Sequence, residues 1–102
     1  MADADEIIHQ STRLKLMSVL NALPQGEGLE FKRLKAIARA TDGNLGAHLA
    51  TLEKAGYIAI DKDFVGKRPR TQAQITRVGR RAFEAHLQYL RDIIEGVAPD
   101  DG

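Results

Sequence analysis

Apolar and polar positions along the chain follow two periods, and the change from one to the other falls near residue 57. Before it the spacing is helical. Leu16, Leu20 and Leu23, with Met17 beside them, share one face, and Pro24, Gly26 and Gly28 end the run. Ser11 or Thr12 stands where an N-cap is needed, so a first helix is expected from there to about residue 23. Leu29-Glu30 reads as a short edge strand. A second helix is expected over 31–39, with Phe31, Leu34, Ile37 and Ala38 buried and Lys32, Arg33 and Lys35 largely outside. After a tight break at Ala40, Thr41 caps a third helix. Its Leu45, Leu49 and Leu52 recur at i, i+4 and i+7, and Gly56 closes it as a left-handed residue.

Beyond residue 57 the period is two. "YIAIDKDF" puts Ile58 and Ile60 on one side, and "RTQAQIT" alternates through Thr71, Ala73 and Ile75. "VGKRP" between them is a turn with a basic tip, so the pair predicts a β-hairpin. Thr76 caps a last helix over 77–95, and Gly96 stops it. The fold class expected is mainly α with a β-hairpin: a winged helix-turn-helix of about four helices plus a wing. One domain over 7–96 includes a dimerisation helix at about 77–95, and residues 1–6 and 97–102 are expected to be frayed tails.

The third helix is bare on the side away from its leucines. At about 100° per residue, Gly43, Ala47, Ala50 and Lys54 lie opposite the apolar face, with Asn44, His48 and Thr51 along one flank. In a helix-turn-helix the second helix leads into the major groove with its N-terminal residues. Small residues permit close approach there, and polar ones can bond to bases or phosphates.

Charge strengthens that reading through its distribution, since the net value is only +1. The first ten residues are acidic and so is the segment after residue 81, which leaves a basic centre. Lys62, Lys67, Arg68, Arg70, Arg77, Arg80 and Arg81 stand against Asp63 alone in residues 62–81, a block that attracts phosphate. The absence of cysteine excludes disulfides and thiol redox sensing. No apolar run approaches the ~18 residues of a membrane span, and "MADADEII" lacks the pattern of a signal peptide. A cytoplasmic protein without a membrane partner is expected.

"IIHQSTRLKLMSVL", "TDGNLGAHLATLEKAGYIAI", "FVGKRPRTQAQIT" and "GRRAFEAHL" resemble the small winged-helix regulators of the MarR-like superfamily, in the compact group that is little more than the DNA-binding domain. The resemblance spans residues 7–95. It implies a homodimeric repressor or activator, often responsive to a small-molecule effector. Asn44 and His48 match the family pattern. Gly46 and Ala47 depart from it, standing where Ser and a basic or polar residue are usual, which shifts specificity towards Asn44, His48, the wing and DNA shape.

The remaining candidates are weaker. His9, His48 and His86 do not form a ligand set with a fixed geometry, so neither metal nor cofactor is expected. No phosphate loop or nucleophile motif points to an enzyme. On the last helix Phe83, Leu87, Leu90 and Ile94 advance by 4, 3 and 4 residues, a seam of the coiled-coil type. Val78, Ala82 and Phe83 are explained by closing the chain's own core; Leu90 and Ile94 call for a second copy, with Ile7 and Ile8 beside them. The reading is therefore a homodimer on double-stranded DNA. Arg33 and Lys35 would touch the flanking backbone, Thr41, Asn44, Ala47, His48 and Thr51 would lie in the major groove, and Lys67, Arg68 and Arg70 would hold phosphate or probe the minor groove. The alternative is a winged-helix protein–protein adaptor without DNA binding.

Overall fold

A computed structural model describes residues 3–96. The order of elements is α1 (Ser11–Asn21), β1 (Leu29–Glu30), α2 (Phe31–Ala38), α3 (Asp42–Lys54), β2 (Ile58–Val65), β3 (Arg68–Ile75) and α4 (Arg77–Ile94). The strands form one antiparallel sheet in the order β1-β3-β2. Leu29 pairs with Ala73 on one edge, and Ile58 pairs with Ile75 at the start of the hairpin. This is the winged helix-turn-helix that the periodicities describe.

Its core is where the helical and alternating patterns meet. Leu16, Met17 and Leu20 of α1, Leu34 of α2, and Leu45, Leu49 and Leu52 of α3 pack with Ile58, Ala73 and Ile75 of the sheet and Phe83 of α4. Removing these side chains from water drives the fold, at about 25 cal/mol per Å² of apolar surface. β2 contributes only its first residues. From Asp61 to its end the strand is exposed, so the hairpin is an arm that projects beyond the core.

The caps follow local chemistry, with two departures. The Thr41 hydroxyl accepts the N–H of Asn44 (3.1 Å) at the start of α3, and that of Thr76 accepts the N–H of Gly79 (2.9 Å) at the start of α4. For α1 the cap is Gln10 rather than Ser11 or Thr12: its side-chain oxygen accepts the Arg13 N–H at 2.9 Å. The break between α2 and α3 rests on Arg39, which takes the left-handed conformation (φ 52°), rather than on Ala40. The hairpin turn is also tighter than "VGKRP" suggests. Val65 pairs with Arg68, so the turn is Gly66-Lys67 alone. Gly66 has φ 65°, the positive value that two-residue hairpin turns require.

Of the tail expected at 1–6, residues 1–2 lie outside the described residues, and Asp5 is anchored to the fold. The Asp5 carboxylate accepts the N–H groups of Ile7 (2.9 Å) and Ile8 (3.0 Å) through one oxygen and the Tyr57 hydroxyl through the other (2.6 Å). That bond, with burial, pushes the Tyr57 phenol up to about 12. The C-terminal tail at 97–102 lies outside the described residues. Among the described residues, no helix is long and apolar enough to cross a membrane.

Candidate nucleic-acid interface

The three buried leucines of α3 fix its orientation, and its two flanks then meet different neighbours. Gly46 and Ala50 turn towards the hairpin. With Phe31, Leu49, Ile60 and Lys62 they line an open groove of about 420 Å³. Asn44, His48 and Thr51 lie on the other flank, towards the start of α1. There an Arg13 guanidinium nitrogen donates to His48 Nδ1 (3.0 Å), while Arg13 Nε donates to the Ile7 carbonyl (2.5 Å). Because Arg13 can only donate, His48 Nδ1 must accept, and the ring's proton sits on Nε2. Burial, and then the Arg13 charge, hold His48 below the ordinary histidine range. The ring therefore keeps a single donor at neutral pH.

The other α3 candidates are placed unequally. Asn44 and Ala47 are exposed. The Thr51 hydroxyl donates to the Ala47 carbonyl (3.1 Å), so its proton is turned back on the helix. The Thr41 hydroxyl is engaged by its cap. Lys35 pairs with Asp42 at the first turn of α3 (2.7 Å), and Arg33 is exposed. Arg33 lines a second groove, of about 550 Å³, with Lys32, Arg68 and Gln72.

On the arm, the expected trio of free cations is two. Arg70 makes a two-pronged pair with Asp63, its Nε donating at 2.9 Å and a terminal nitrogen at 2.8 Å. The two residues face each other across the strands, so the register itself brings them together. These hydrogen bonds hold the Asp63 carboxyl below its usual range. Lys67 sits in the turn and Arg68 at the start of β3, both exposed. Arg80 is likewise removed from the basic block. It donates to the carbonyls of Asn21 (2.9 Å) and Leu23 (2.8 Å), closing the free end of α1.

The expected dimer seam divides. Ile8 is fully buried within the chain's own core, and Phe83, nearly buried there, still lines the groove between α1 and α4. Ile7 and Leu87 are half-buried against that core. Leu90 is half-buried, and Ile94 is 81 % exposed with Ile93 beside it. Val78, expected to pack inside, is exposed instead. His86 is completely buried and 3.4 Å from His9. No group of three or more His, Cys, Asp or Glu that could hold a metal occurs among the described residues.

Sequence reasoning passed over Arg13 as a candidate for the interface, counted Lys62 only within the basic block, and left out Phe64. Strand alternation offered a signal for the last two, since period two places them on the face of Ile58 and Ile60. Nothing local marks Arg13, whose place beside α3 arises only when α1 packs.

A helix-turn-helix with an exposed, small-residue second helix and a cationic hairpin arm defines a winged-helix nucleic-acid-binding protein. Residues 12–94 match the family described as the winged helix DNA-binding domain, and the chain belongs to that family. It is 34 % identical over 92 residues to an uncharacterized protein of Methanocaldococcus jannaschii, covering 90 % of this chain and 97 % of that one. The solved structure of a transcriptional regulator homologue from Pyrococcus horikoshii OT3 is similar at TM-score 0.78 and 28 % identity, over 89 % of this chain and 87 % of that one. A MarR family transcriptional regulator from Silicibacter pomeroyi shares the fold at TM-score 0.60 and 21 % identity, over 86 % of this chain and 59 % of that one. The motifs read as MarR-like thus lie in a winged helix DNA-binding domain, the fold that the MarR family regulator shares.

Proposed function

We propose that the protein is a sequence-specific transcriptional regulator that binds double-stranded DNA as a homodimer. α3 enters the major groove, led by Asn44 and His48, with Ala47 giving closeness of approach and Thr41 and Thr51 flanking them. Lys67 and Arg68 of the arm meet the backbone or minor groove, and Arg33 touches the flanking phosphates. Lys35 and Arg70 join only by leaving their carboxylate partners. The observation that carries this reading is the side-by-side placement of the bare α3 surface and the projecting cationic arm. A fold closed on itself needs neither.

Homodimerisation is supported by the end of α4, where Ile93 and Ile94 are exposed next to Leu90. Between α1 and α4 runs a groove of about 550 Å³ lined by Leu14, Val19, Leu87 and Leu90, with His9 among its walls. It suits the α4 of a second copy, and a small apolar effector would compete for the same seat. Selection from a random-sequence duplex pool tests the whole reading. A two-fold symmetric site is expected, with half-sites about one helical turn apart. Asn44→Ala should flatten the preference at one position of each half-site. A pool that stays random, or a single asymmetric site, would count against the dimeric regulator and favour the adaptor.

A further inference from the structure

The arm carries two large apolar side chains that the fold does not use. Phe64 is 70 % exposed and Val65 56 %, beyond the last residue that β2 gives to the core. Both are good strand formers, which accounts for a β-branched or aromatic residue at either position. It does not account for an aromatic ring held at the tip of a projecting arm. Phe64 lies opposite Pro69 in the register, and Lys62 lies opposite Thr71, so these four occupy one face of the hairpin. Lys62 and Thr71 also border the groove beside Gly46 and Ala50 of α3. The ring therefore stands on the side of the arm that faces the small-residue flank of α3. The opposite face carries Asp61, Asp63, Val65, Arg68, Arg70 and Gln72, where Arg70 is already paired.

Resting on the regulator reading, we propose that Phe64 is an apolar wedge that packs into the DNA minor groove and bends the duplex, with Pro69 bracing it across the strands. Three features of the arm select DNA as the occupant over a protein surface. Lys62 flanks the ring on its own face and Lys67 follows in the turn, so the ring stands beside two cations. The patch shares its side with the bare flank of α3. The projection of the hairpin gives the reach that a groove next to the recognition helix requires. Apolar side chains inserted between base steps partly unstack them and kink the helix, and the binding energy comes from packing rather than counterion release. Phe64 then contributes to recognition through flexible pyrimidine–purine steps, which unstack most easily.

The experiment uses the full chain and a duplex selected from a random pool, labelled at both ends for energy transfer, over a series of salt concentrations. Phe64→Ser is expected to lower affinity about tenfold, as loss of one aromatic–base contact does. It should relax the bend and leave the salt slope unchanged. Phe64→Leu should keep most of the bend, because leucine also serves as a wedge. Lys67→Ala should do the reverse of Phe64→Ser, lowering the slope and preserving the bend. Circular dichroism establishes that the variants are folded, which an exposed position favours. If Phe64→Ser binds and bends the selected duplex as the wild type does, the wedge is overturned and the regulator reading stands. A Phe64→Ser chain that loses self-association without losing the bend would assign the ring to a contact between copies and likewise overturn the wedge. If the wild type shows no salt-dependent binding to any duplex, both fall together.

Discussion

Nδ1 of His9 and Nε2 of His86 lie 3.4 Å apart, and the Asp5 backbone N–H donates to the other nitrogen of His86 at 3.1 Å. The second contact fixes the first. His86 Nδ1 must be an acceptor, so its proton is on Nε2 and is given to His9 Nδ1. Tyr89 is stacked on His86 at 5.6 Å between centroids. A proton added at His86 Nδ1 would set two donors, that ring and the Asp5 N–H, against each other. This arrangement ties the start of the chain to α4, and Asp5 ties it also to Tyr57.

Acid should therefore loosen the N-terminal segment. Burial first, and then His9, hold His86 below the ordinary histidine range, against an opposing pull from Asp5. His48 is lowered as well, by burial and Arg13. For groups with depressed histidine values the unfolded chain binds more protons than the folded one. Stability is thus complete above about 6.5 and is lost as pH falls below it towards the folded values. Urea unfolding between about pH 7.5 and about pH 5.5 should show a falling midpoint, and His86→Asn should flatten the trend while lowering the midpoint at neutral pH. A midpoint independent of pH would show that these rings accept protons in place.

A second expectation concerns the end of α4. Replacing Leu90 and Ile94 together by Glu should yield a folded monomer, because like charges would oppose each other across a two-fold axis. Light scattering decides it. A dimer persisting at low micromolar concentration would place the interface elsewhere.

The Asp63–Arg70 pair allows a gain-of-binding test. Asp63→Ala should cost the fold little, since exposed ion pairs contribute about 0–1 kcal/mol. It should release Arg70 and steepen the slope of log affinity against log salt by roughly 0.9 for each phosphate newly neutralised. Anisotropy titrations of both proteins measure this. An unchanged slope would leave Arg70 off the DNA.

Gly79 offers a test of packing. A methyl group there would sit 2.0 Å from the Tyr57 carbonyl oxygen and 2.8 Å from its carbon, both backbone atoms. Gly79→Ala should raise helix propensity in α4 and yet destabilise the protein by about 1–3 kcal/mol, because α4 must move off the end of α3. Thermal unfolding that rises instead would mean that this junction is soft.

Period and caps by themselves determined the element order and most of the core. Leu45, Leu49 and Leu52 could lie nowhere but inward, and Thr41, Thr76 and Gly56 mark ends that backbone chemistry dictates. These are local rules, acting over one turn or two strand residues. The site was legible only in part for the same reason. Sequence places Asn44 and Ala47 on an open face, yet it treats Lys67, Arg68 and Arg70 as equals. Whether a cation is free depends on what stands across from it, and the register alone put Asp63 opposite Arg70. Packing alone brought Arg13 to His48, Asp5 to Tyr57 and His9 to His86, over separations of 35, 52 and 77 residues. It also took Ile8 from a surface seam into the core and exposed Val78. Periodicity tells which way a side chain points from its own element, and only the assembled chain decides what waits there.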